Sequence, residues 1–363
     1  MKSYFRPAID VMSGYTPGEQ PKMKKLVKLN TNENPFPPAP GVDEVLKKIN
    51  YESLRRYPDP MADELCSVAA KVFGLERKNI IGGNGSDDIL TMTFRAFSDP
   101  VRPVAVLNPT YSLYDELAKM QEAELIKINL EDDFSLPDDL LEQAERANLL
   151  IITRPNAPSG NTFPLEKIRE FCQKFDGIVF IDEAYGDFAP DNCMGLVKEF
   201  DNVIVSRTCS KSYSLAGGRL GFAAAGEQII AGLRKLKDSY NLDYITQQIG
   251  IAALSDQEYL RQNVEKIKAE RAWITGELRK LDFEVVESAT NFVFAAPPDR
   301  NGEKFFTNLR NEGVIVRYFR GGRTAAFVGL SNGTHEGMCL LLGFAAQWDK
   351  KKPFFCRNWG DFW

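Results

Sequence analysis

The sequence of 363 residues contains a single histidine, His335. A zinc site built on histidines, a Ser-His-Asp triad and a Cys-His pair all need histidine at the reacting centre, so these sites are disfavoured. Six cysteines are scattered along the chain without a Cys-x-x-Cys pair, which predicts reduced thiols rather than a disulfide framework or a zinc site. We therefore expect no bound metal, and any proton transfer falls to lysine, tyrosine or carboxylate side chains.

The sequence also lacks an excess of basic residues and any long apolar segment. The net charge of −5 leaves no cationic surplus to hold a polyanion, and we expect no nucleic-acid partner. No apolar run reaches the length of a membrane span, and the N-terminus "MKSYFRPAID" has no apolar signal-peptide core. These absences predict a cytoplasmic protein without a membrane partner.

Apolar, β-branched segments alternate with amphipathic segments through the first two thirds of the chain. The predicted strands are 104–108, 124–130, 149–153, 177–182 and 202–208, and the predicted helices are 86–97, 111–121, 138–146 and 164–175. This alternation predicts an α/β fold with three αβα layers around a mostly parallel sheet. In such sheets the ligand binds at the carboxyl ends of the strands.

The pattern changes after about residue 240. A long charged helix is predicted at 257–281, followed by strands at 283–288, 290–296 and 313–319. We expect a large ligand-binding domain over residues 30–245. Residues 1–29 and 246–363 form an N-terminal arm and a smaller α+β domain, and the proline-rich stretch 28–40 should run extended across a surface rather than enter a core.

A glycine-rich turn precedes a predicted helix in "IIGGNGSDDIL". The backbone N–H groups of Gly85, Ser86 and Asp87 would point at an anion there. The glycine spacing fits neither a P-loop nor a dinucleotide fingerprint. The alternative is an ordinary turn before a helix.

Polar and aromatic residues follow the next strands. Tyr111 in "NPTYSLY" could stack on a planar ligand, and Asn156 in "TRPNAPSGN" could contact one. In "GIVFIDEAYGDF", Asp182 could keep a heteroaromatic ring nitrogen protonated, and Tyr185 could bond a phenolic oxygen. Each of these residues could instead have a purely structural role, in side-chain packing, in a tight turn or as a helix cap.

The segment "SRTCSKSYSLAGGRLGF" places Lys211 among Thr208, Ser210 and Arg219. Successive strand ends thus supply an anion cradle, a stacking aromatic, a carboxylate and a lysine flanked by hydroxyls and an arginine. Taken together, this set fits pyridoxal 5′-phosphate held through a Schiff base to Lys211.

At this point the sequence resembles the fold type I PLP-dependent aminotransferases of class I/II, and among them most the histidinol-phosphate aminotransferase family. The resemblance spans about residues 25–320 and rests on "LNTNENPFPP", "RYPDP", "GGNGSDDIL", "NPTYSLY", "RPNAPSGN", "FIDEAYGDF" and "RTCSKSYSLAGGRLGF". It implies a small-molecule substrate, histidinol phosphate first, whose amino group goes to 2-oxoglutarate.

The resemblance also implies roles for single residues. Lys211 would carry the cofactor, Asp182 would pair with its ring nitrogen, Tyr185 would bond its ring oxygen and Tyr111 would stack on the ring. The implied contacts to the cofactor phosphate are Gly85, Ser86, Thr208, Ser210 and Arg219, and Asp87 is a further cofactor-binding candidate. Tyr57 in "RRYPDP" would reach the phosphate of a neighbouring subunit, which implies a homodimer. The substrate-binding candidates are Asn34, Arg317 and Arg323.

Two departures from the family pattern keep alternatives open. Ala157 stands where the family has an asparagine that bonds the ring oxygen, so Tyr185 or Asn156 would have to compensate. Gly329 in "VGLSNGT" stands where the family has a substrate-binding arginine, and the tail 343–363 lacks family character. A threonine-phosphate decarboxylase, an aromatic or aliphatic aminotransferase, and a PLP-binding protein with an impaired substrate site are the alternatives.

Overall fold

The computed structural model describes residues 2–15, 18–20 and 26–348, so most of the atypical tail lies outside the described residues. The described strands, in chain order, are β1 (Val27–Leu29), β2 (Ile80–Asn84), β3 (Val104–Asn108), β4 (Leu125–Asn129), β5 (Leu149–Thr153), β6 (Ile178–Asp182), β7 (Val203–Thr208), β8 (Leu220–Ala225), β9 (Glu284–Val285), β10 (Phe292–Ala296), β11 (Val314–Tyr318) and β12 (Val328–Ser331).

Helices connect most of these strands. They are α1 (Pro7–Asp10), α2 (Pro40–Lys48), α3 (Tyr51–Leu54), α4 (Asp63–Phe73), α5 (Ser86–Phe97), α6 (Leu113–Met120), α7 (Leu140–Ala144), α8 (Leu165–Lys174), α9 (Glu227–Arg234), α10 (Tyr244–Ser255), α11 (Gln257–Lys280), α12 (Gly302–Asn311) and α13 (His335–Trp348). No helix in the described part of the chain is long and apolar enough to cross a membrane.

The larger sheet has seven strands in the order β2-β8-β7-β6-β5-β3-β4. Strands β3 to β7 pair in parallel, and β8 runs antiparallel to both of its neighbours. The α/β class with a mostly parallel sheet is therefore confirmed. The antiparallel strand β8 was not predicted, since its small residues "LGFAAA" lack the bulky apolar pattern of the other strands.

Alternate residues of the central strands enter two different apolar layers. On β5, Leu150 and Ile152 join one cluster, and Leu149 and Ile151 join another. Side chains of a strand point alternately to its two faces, so both faces of this sheet are covered. The central sheet is consequently buried on both faces, and its carboxyl edge can hold functional groups in fixed positions.

The smaller sheet has five strands in the order β1-β11-β12-β10-β9. Strand β1 pairs in parallel with β11, and the remaining pairs are antiparallel. The prediction that residues 28–40 stay out of a core is wrong at its start, because Leu29 lies in the apolar cluster of this sheet. Pairing of β1 with β11 brings that side chain inward. The proposed domain boundary itself stays a prediction.

Candidate active site

A cavity of about 370 Å³ lies at the carboxyl edge of the larger sheet. The strand register explains why the predicted residues meet here. Asn84, just before Gly85, pairs with Leu220, and Thr208 pairs with Gly221, so both strand ends lie beside the start of β8, next to Arg219. Residues of the smaller sheet, and one residue just after its strand β11, close the other side; they are Phe292, Arg317 and Gly329, with Phe319.

Lys211 lines this cavity three residues after the end of β7. Its Nζ donates a hydrogen bond to the Thr31 carbonyl oxygen at 2.8 Å and lies 5.9 Å from the centroid of the Tyr185 ring. Burial lowers the pKa of Lys211 to about 8, and the charge of Glu33 opposes part of this shift. Near neutral pH the amine therefore has an accessible neutral form, which a nucleophile and proton acceptor needs.

The buried amine should reduce the stability of the protein at neutral pH. The pKa of Lys211 is below that of an unfolded lysine, so the unfolded chain binds more protons and stability rises with pH between about 8 and 10.5. Without added ligand, Lys211→Met should therefore be more stable than wild type at pH 7, by on the order of 3 kcal/mol. Urea unfolding of both proteins at pH 7 and pH 9 measures this. A stability difference that does not shrink at pH 9 would contradict the burial of a charged amine.

Asp182 is buried at the end of β6 and accepts three hydrogen bonds. Tyr114 Oη donates to one carboxylate oxygen at 2.7 Å; Ser206 Oγ and the Ala184 N–H donate to the other, each at 3.1 Å. Burial raises the pKa of Asp182, and these hydrogen bonds oppose the rise. A carboxylate so held is a fixed acceptor for a cationic N–H group of a ligand.

Two tyrosines line the cavity beside Asp182. Asn32 Nδ2 donates a hydrogen bond to Tyr185 Oη at 3.0 Å, while burial raises the pKa of Tyr185 to about 12. Tyr111 packs edge-on against Tyr15 and Tyr114, with ring centroids 5.8 and 5.6 Å apart. Both phenols thus stay protonated near neutral pH and can donate or accept hydrogen bonds.

The opposite end of the cavity is suited to an anion. Arg219 Nη1 donates to Ser210 Oγ at 3.4 Å, and Arg219 Nη2 donates to an Asp87 carboxylate oxygen at 3.1 Å. Helix α5 begins here, and its cap residue Gly85 supplies no side-chain hydrogen bond to the first turn. The N–H groups of that turn, together with the arginine and the hydroxyls of Ser210 and Thr208, therefore form a donor set for a phosphate-sized anion.

Gly85 is favoured by its backbone conformation and allows Arg219 to approach the turn closely. Its φ is +79°, and a Cβ atom at this position would lie 2.5 Å from Arg219 Nη2. Arg219 itself adopts a left-handed conformation with φ of 47°. The positive φ of residue 85 favours glycine, and any side chain there would require the Arg219 guanidinium to move away from the turn.

Four predicted site residues lie elsewhere. Asn34 donates from Nδ2 to the carbonyl oxygens of Lys211 and Ser212, each at 3.0 Å, and is thus engaged with backbone rather than lining the cavity. Arg323 binds the Leu130 and Glu131 carbonyl oxygens and the Asp132 carboxylate. Its assignment to substrate binding is corrected, because these acceptors hold its guanidinium outside the cavity lining.

Asn156 and Tyr57 also lie outside the cavity lining. Asn156 is buried, and its Nδ2 donates to Ser159 Oγ at 2.7 Å and to the Pro109 carbonyl oxygen at 3.2 Å. The structure thus gives no contact by which Asn156 would compensate for Ala157. Tyr57 is 80% exposed and stacks on Tyr240 with ring centroids 4.4 Å apart.

Sequence reasoning missed the groups that hold the predicted residues in place. Tyr114 and Ser206 orient Asp182, and Asn32 orients Tyr185. Tyr114 lies three residues after Tyr111 in the motif "NPTYSLY", and this proximity could have identified it as a site residue. Asn32 lies in "LNTNENPFPP", a motif noted for its resemblance but not for this residue.

Comparison with known proteins identifies the family. The profile of the family described as aminotransferase class I and II matches residues 24–336. The chain belongs to this family. The aminotransferase is 43% identical over 343 residues to the histidinol-phosphate aminotransferase of Syntrophotalea carbinolica, covering 94% of this chain and 98% of that one. It is 44% identical over 334 residues to the protein of the same name from Citrifermentans bemidjiense, covering 92% and 95%.

Solved structures agree with this assignment. The crystal structure of histidinol-phosphate aminotransferase from Sinorhizobium meliloti, in complex with pyridoxal-5′-phosphate, superposes with a TM-score of 0.88 at 25% identity, covering 96% of the aminotransferase and 98% of that chain. Aspartate aminotransferase from Thermus thermophilus with maleate has a TM-score of 0.77 at 22% identity, covering 89% and 91%, and supports the fold alone.

Proposed function

We propose that this aminotransferase uses pyridoxal 5′-phosphate to transfer the amino group of histidinol phosphate to 2-oxoglutarate. The observation that carries the proposal is the Lys211 amine, whose pKa is lowered and which faces the same cavity as Asp182 and the Arg219 anion site. Curated relatives at 43–44% identity, named histidinol-phosphate aminotransferase, support this substrate.

The residues of the cavity fit this cofactor. The glycine cradle at Gly85, with Arg219 and Ser210, offers donors for its phosphate. Asp182 offers a carboxylate for its ring nitrogen, and Lys211 offers an amine for its aldehyde carbon. When bound, the cofactor supplies an electron-withdrawing ring that stabilises negative charge on the substrate carbon.

Lys211 is the group placed to move the proton. With a pKa of about 8, its Nζ could take the proton from the substrate carbon that bears the amino group. It would then deliver that proton to the carbon that was the aldehyde carbon of the bound cofactor, rather than back to the substrate. At the far end of the site, the hydrogen bonds from Tyr114, Ser206 and the Ala184 N–H orient the Asp182 carboxyl group. A cationic N–H bound there would favour its ionised form. Tyr185 Oη accepts a hydrogen bond from Asn32 and can donate its own hydrogen to the ring oxygen of the cofactor.

Arg317 is the candidate for the anionic group of the substrate. It lines the cavity, and its guanidinium lies over the Phe319 ring, 5.2 Å from the centroid. Arg219 already pairs with Asp87. Within the described part of the chain Arg317 has no ion pair, so its charge is available to a substrate phosphate.

Adding an arginine at Gly329 should strengthen substrate binding. Residues 317 and 329 are cross-strand partners, and a Cβ on Gly329 would meet its nearest atom, Arg317 Cβ, at an ordinary 3.5 Å. Gly329→Arg should lower KM for histidinol phosphate about tenfold or more, since hydrogen bonds to a charged group contribute roughly 1.5–3 kcal/mol. Gly329→Met is the control of similar length without charge. Steady-state kinetics that give the same KM for both variants would contradict this placement of the substrate anion.

A panel of amino donors tests the proposed reaction. Histidinol phosphate, threonine phosphate and phenylalanine are each incubated with the enzyme, pyridoxal 5′-phosphate and 2-oxoglutarate, and glutamate and CO₂ are measured. We expect glutamate with histidinol phosphate, at a kcat/KM well above that with phenylalanine. Release of CO₂ from threonine phosphate would instead identify a decarboxylase, and cofactor binding without turnover would identify an impaired substrate site.

We also propose a homodimer in which Tyr57 reaches the cofactor phosphate of the partner subunit. Tyr51, Leu54 and Tyr57 form an exposed apolar and aromatic stretch on and just after α3. Light scattering should give twice the mass of the chain, and Tyr57→Phe should weaken cofactor binding. A monomer at micromolar concentration would overturn the proposal. The cytoplasmic location stays a prediction.

A further inference from the structure

A buried pair of charges lies directly behind the cavity. Successive residues of β7 point to opposite faces, so Thr208 faces the cavity while Arg207 faces away from it. Glu183, the residue after the end of β6, likewise does not line the cavity, whereas Asp182 does. Arg207 Nε donates to a Glu183 carboxylate oxygen at 3.0 Å, and both side chains are buried. Burial alone would lower the pKa of Arg207, but Glu183 and Asp187 hold it above its usual value.

Asp187 connects this pair to the residue next to Lys211. It lies in the short 3₁₀ turn Gly186–Phe188 that follows Tyr185. Arg207 Nη1 donates to one Asp187 carboxylate oxygen, and Ser212 Oγ donates to the other. Glu183, Arg207, Asp187 and Ser212, here called the Arg207 network, therefore form one continuous chain of hydrogen bonds.

The network holds the backbone of Lys211 from one side, and Asn34 holds it from another. Asn34 Nδ2 donates to the carbonyl oxygens of Lys211 and Ser212. With the peptide fixed at both points, the flexible lysine side chain needs to order only its own rotatable bonds to bring Nζ to the Thr31 carbonyl oxygen. The position of a reacting amine is thereby determined by groups that do not touch the cavity.

We propose that Asp187 is a positioning residue for Lys211, acting through Ser212 to fix the backbone from which the reacting amine extends. The proposal rests on the proposed function, in which Lys211 is the reacting amine. The physical reason is orientation, because a displacement of about 1 Å in a reacting group can reduce the rate on the order of a hundredfold. Among the described residues, the Asp187 side chain hydrogen-bonds to Arg207 and Ser212, neither of which lines the cavity.

The chain offers a matched control in Asp191. Its carboxylate accepts a hydrogen bond from Nη2 of the buried Arg154, whose Nη1 lies 4.0 Å from Glu183 on the other side. Asp191→Asn thus disturbs a similar aspartate–arginine pair attached to the same glutamate. No hydrogen bond described for Asp191 reaches Ser212 or Lys211, so a purely structural role for such pairs predicts similar effects at 187 and 191.

The test measures Lys211 in the protein without cofactor or substrate. Wild type, Ser212→Ala, Asp187→Asn and Asp191→Asn are labelled with acetic anhydride across a pH series, and mass spectrometry of the Lys211 peptide gives its apparent pKa. We expect a value near 8 in wild type and Asp191→Asn. In Ser212→Ala and Asp187→Asn the value should rise toward that of an ordinary lysine, because a loosened side chain gains solvent.

Kinetics of the cofactor-loaded enzymes provide a second readout. Ser212→Ala and Asp187→Asn should each lower kcat about tenfold and leave KM unchanged. The double variant should be no worse than Asp187→Asn alone, because both changes disrupt the same Asp187–Ser212 contact. Ser212→Ala, the milder change, keeps the test valid if Asp187→Asn fails to fold. The proposal would be overturned if Ser212→Ala gave the same apparent Lys211 pKa as wild type. It would also be overturned if Asp187→Asn and Asp191→Asn changed that pKa equally. A wrong substrate assignment would leave the labelling result intact.

Discussion

Replacing Lys211 by alanine should abolish transamination and remove the visible absorbance that bound pyridoxal 5′-phosphate gains on bonding to a lysine. The variant loses both the amine that bonds the cofactor and the group that moves the substrate proton. Loss of a positioned acid–base group alone accounts for roughly 10²–10⁴-fold. We therefore expect activity at least about a thousandfold below wild type, measured with histidinol phosphate and 2-oxoglutarate.

Lys28→Ala is the matched control for this loss. The Lys28 amine lies close to the site, where it contacts Thr31 and Glu33, but it does not line the cavity. This variant should keep the visible absorbance after unbound cofactor is removed. If Lys211→Ala keeps the absorbance and Lys28→Ala loses it, the wrong lysine has been assigned.

Replacing Asp182 by asparagine should reduce activity about a hundredfold or more while the protein stays folded. Asparagine preserves the shape and can still accept the hydrogen bond from Tyr114, but it carries no negative charge. Removing one fixed electrostatic group from an active site typically costs about 10²–10³-fold in kcat. Steady-state kinetics and circular dichroism measure the two parts of this expectation. The phosphate donors around Arg219 are unchanged, so the cofactor should still bind.

Ser206→Ala separates the charge of Asp182 from its orientation. This variant removes one hydrogen bond to the carboxylate and leaves the charge and the Tyr114 contact in place. Because a hydrogen bond contributes about 1 kcal/mol net, activity should fall only a few-fold. Equal losses in Ser206→Ala and Asp182→Asn would mean that orientation, rather than charge, is what Asp182 supplies.

Much of the large sheet could be predicted from the sequence because its central strands are buried on both faces. Such strands are continuous apolar runs, and the bounds predicted for β3 and β5 agree with the structure. Strand β8 was missed because it is built from small residues, and β1 because its three residues depend on a partner strand far away in sequence. Local patterns carry little information about pairing of this kind.

The residues of the candidate active site can be divided in the same way, into those with a local sequence pattern and those that depend on distant partners. Asp182 and Lys211 could be placed together from the sequence because one ends a predicted strand and the other follows the next, and parallel strand ends meet at one edge. Arg219 could be added because it lies eight residues after Lys211 in the same motif. The contact of Tyr114 with Asp182, 68 residues away, and that of Asp187 with Ser212 could not be predicted, although Tyr114 lies in the motif of Tyr111. The partners of Arg323 likewise lie more than 190 residues away in the chain, which is why its role was misassigned.

A spectral titration of the wild-type protein tests the central claim most directly. The protein is equilibrated with pyridoxal 5′-phosphate, freed of unbound cofactor, and then mixed stepwise with histidinol phosphate and afterwards with 2-oxoglutarate. The account predicts a visible absorbance band that histidinol phosphate removes and 2-oxoglutarate restores, since the amino group passes through the cofactor in two half-reactions. A protein that shows no visible band, or whose band neither donor nor acceptor changes, would contradict it.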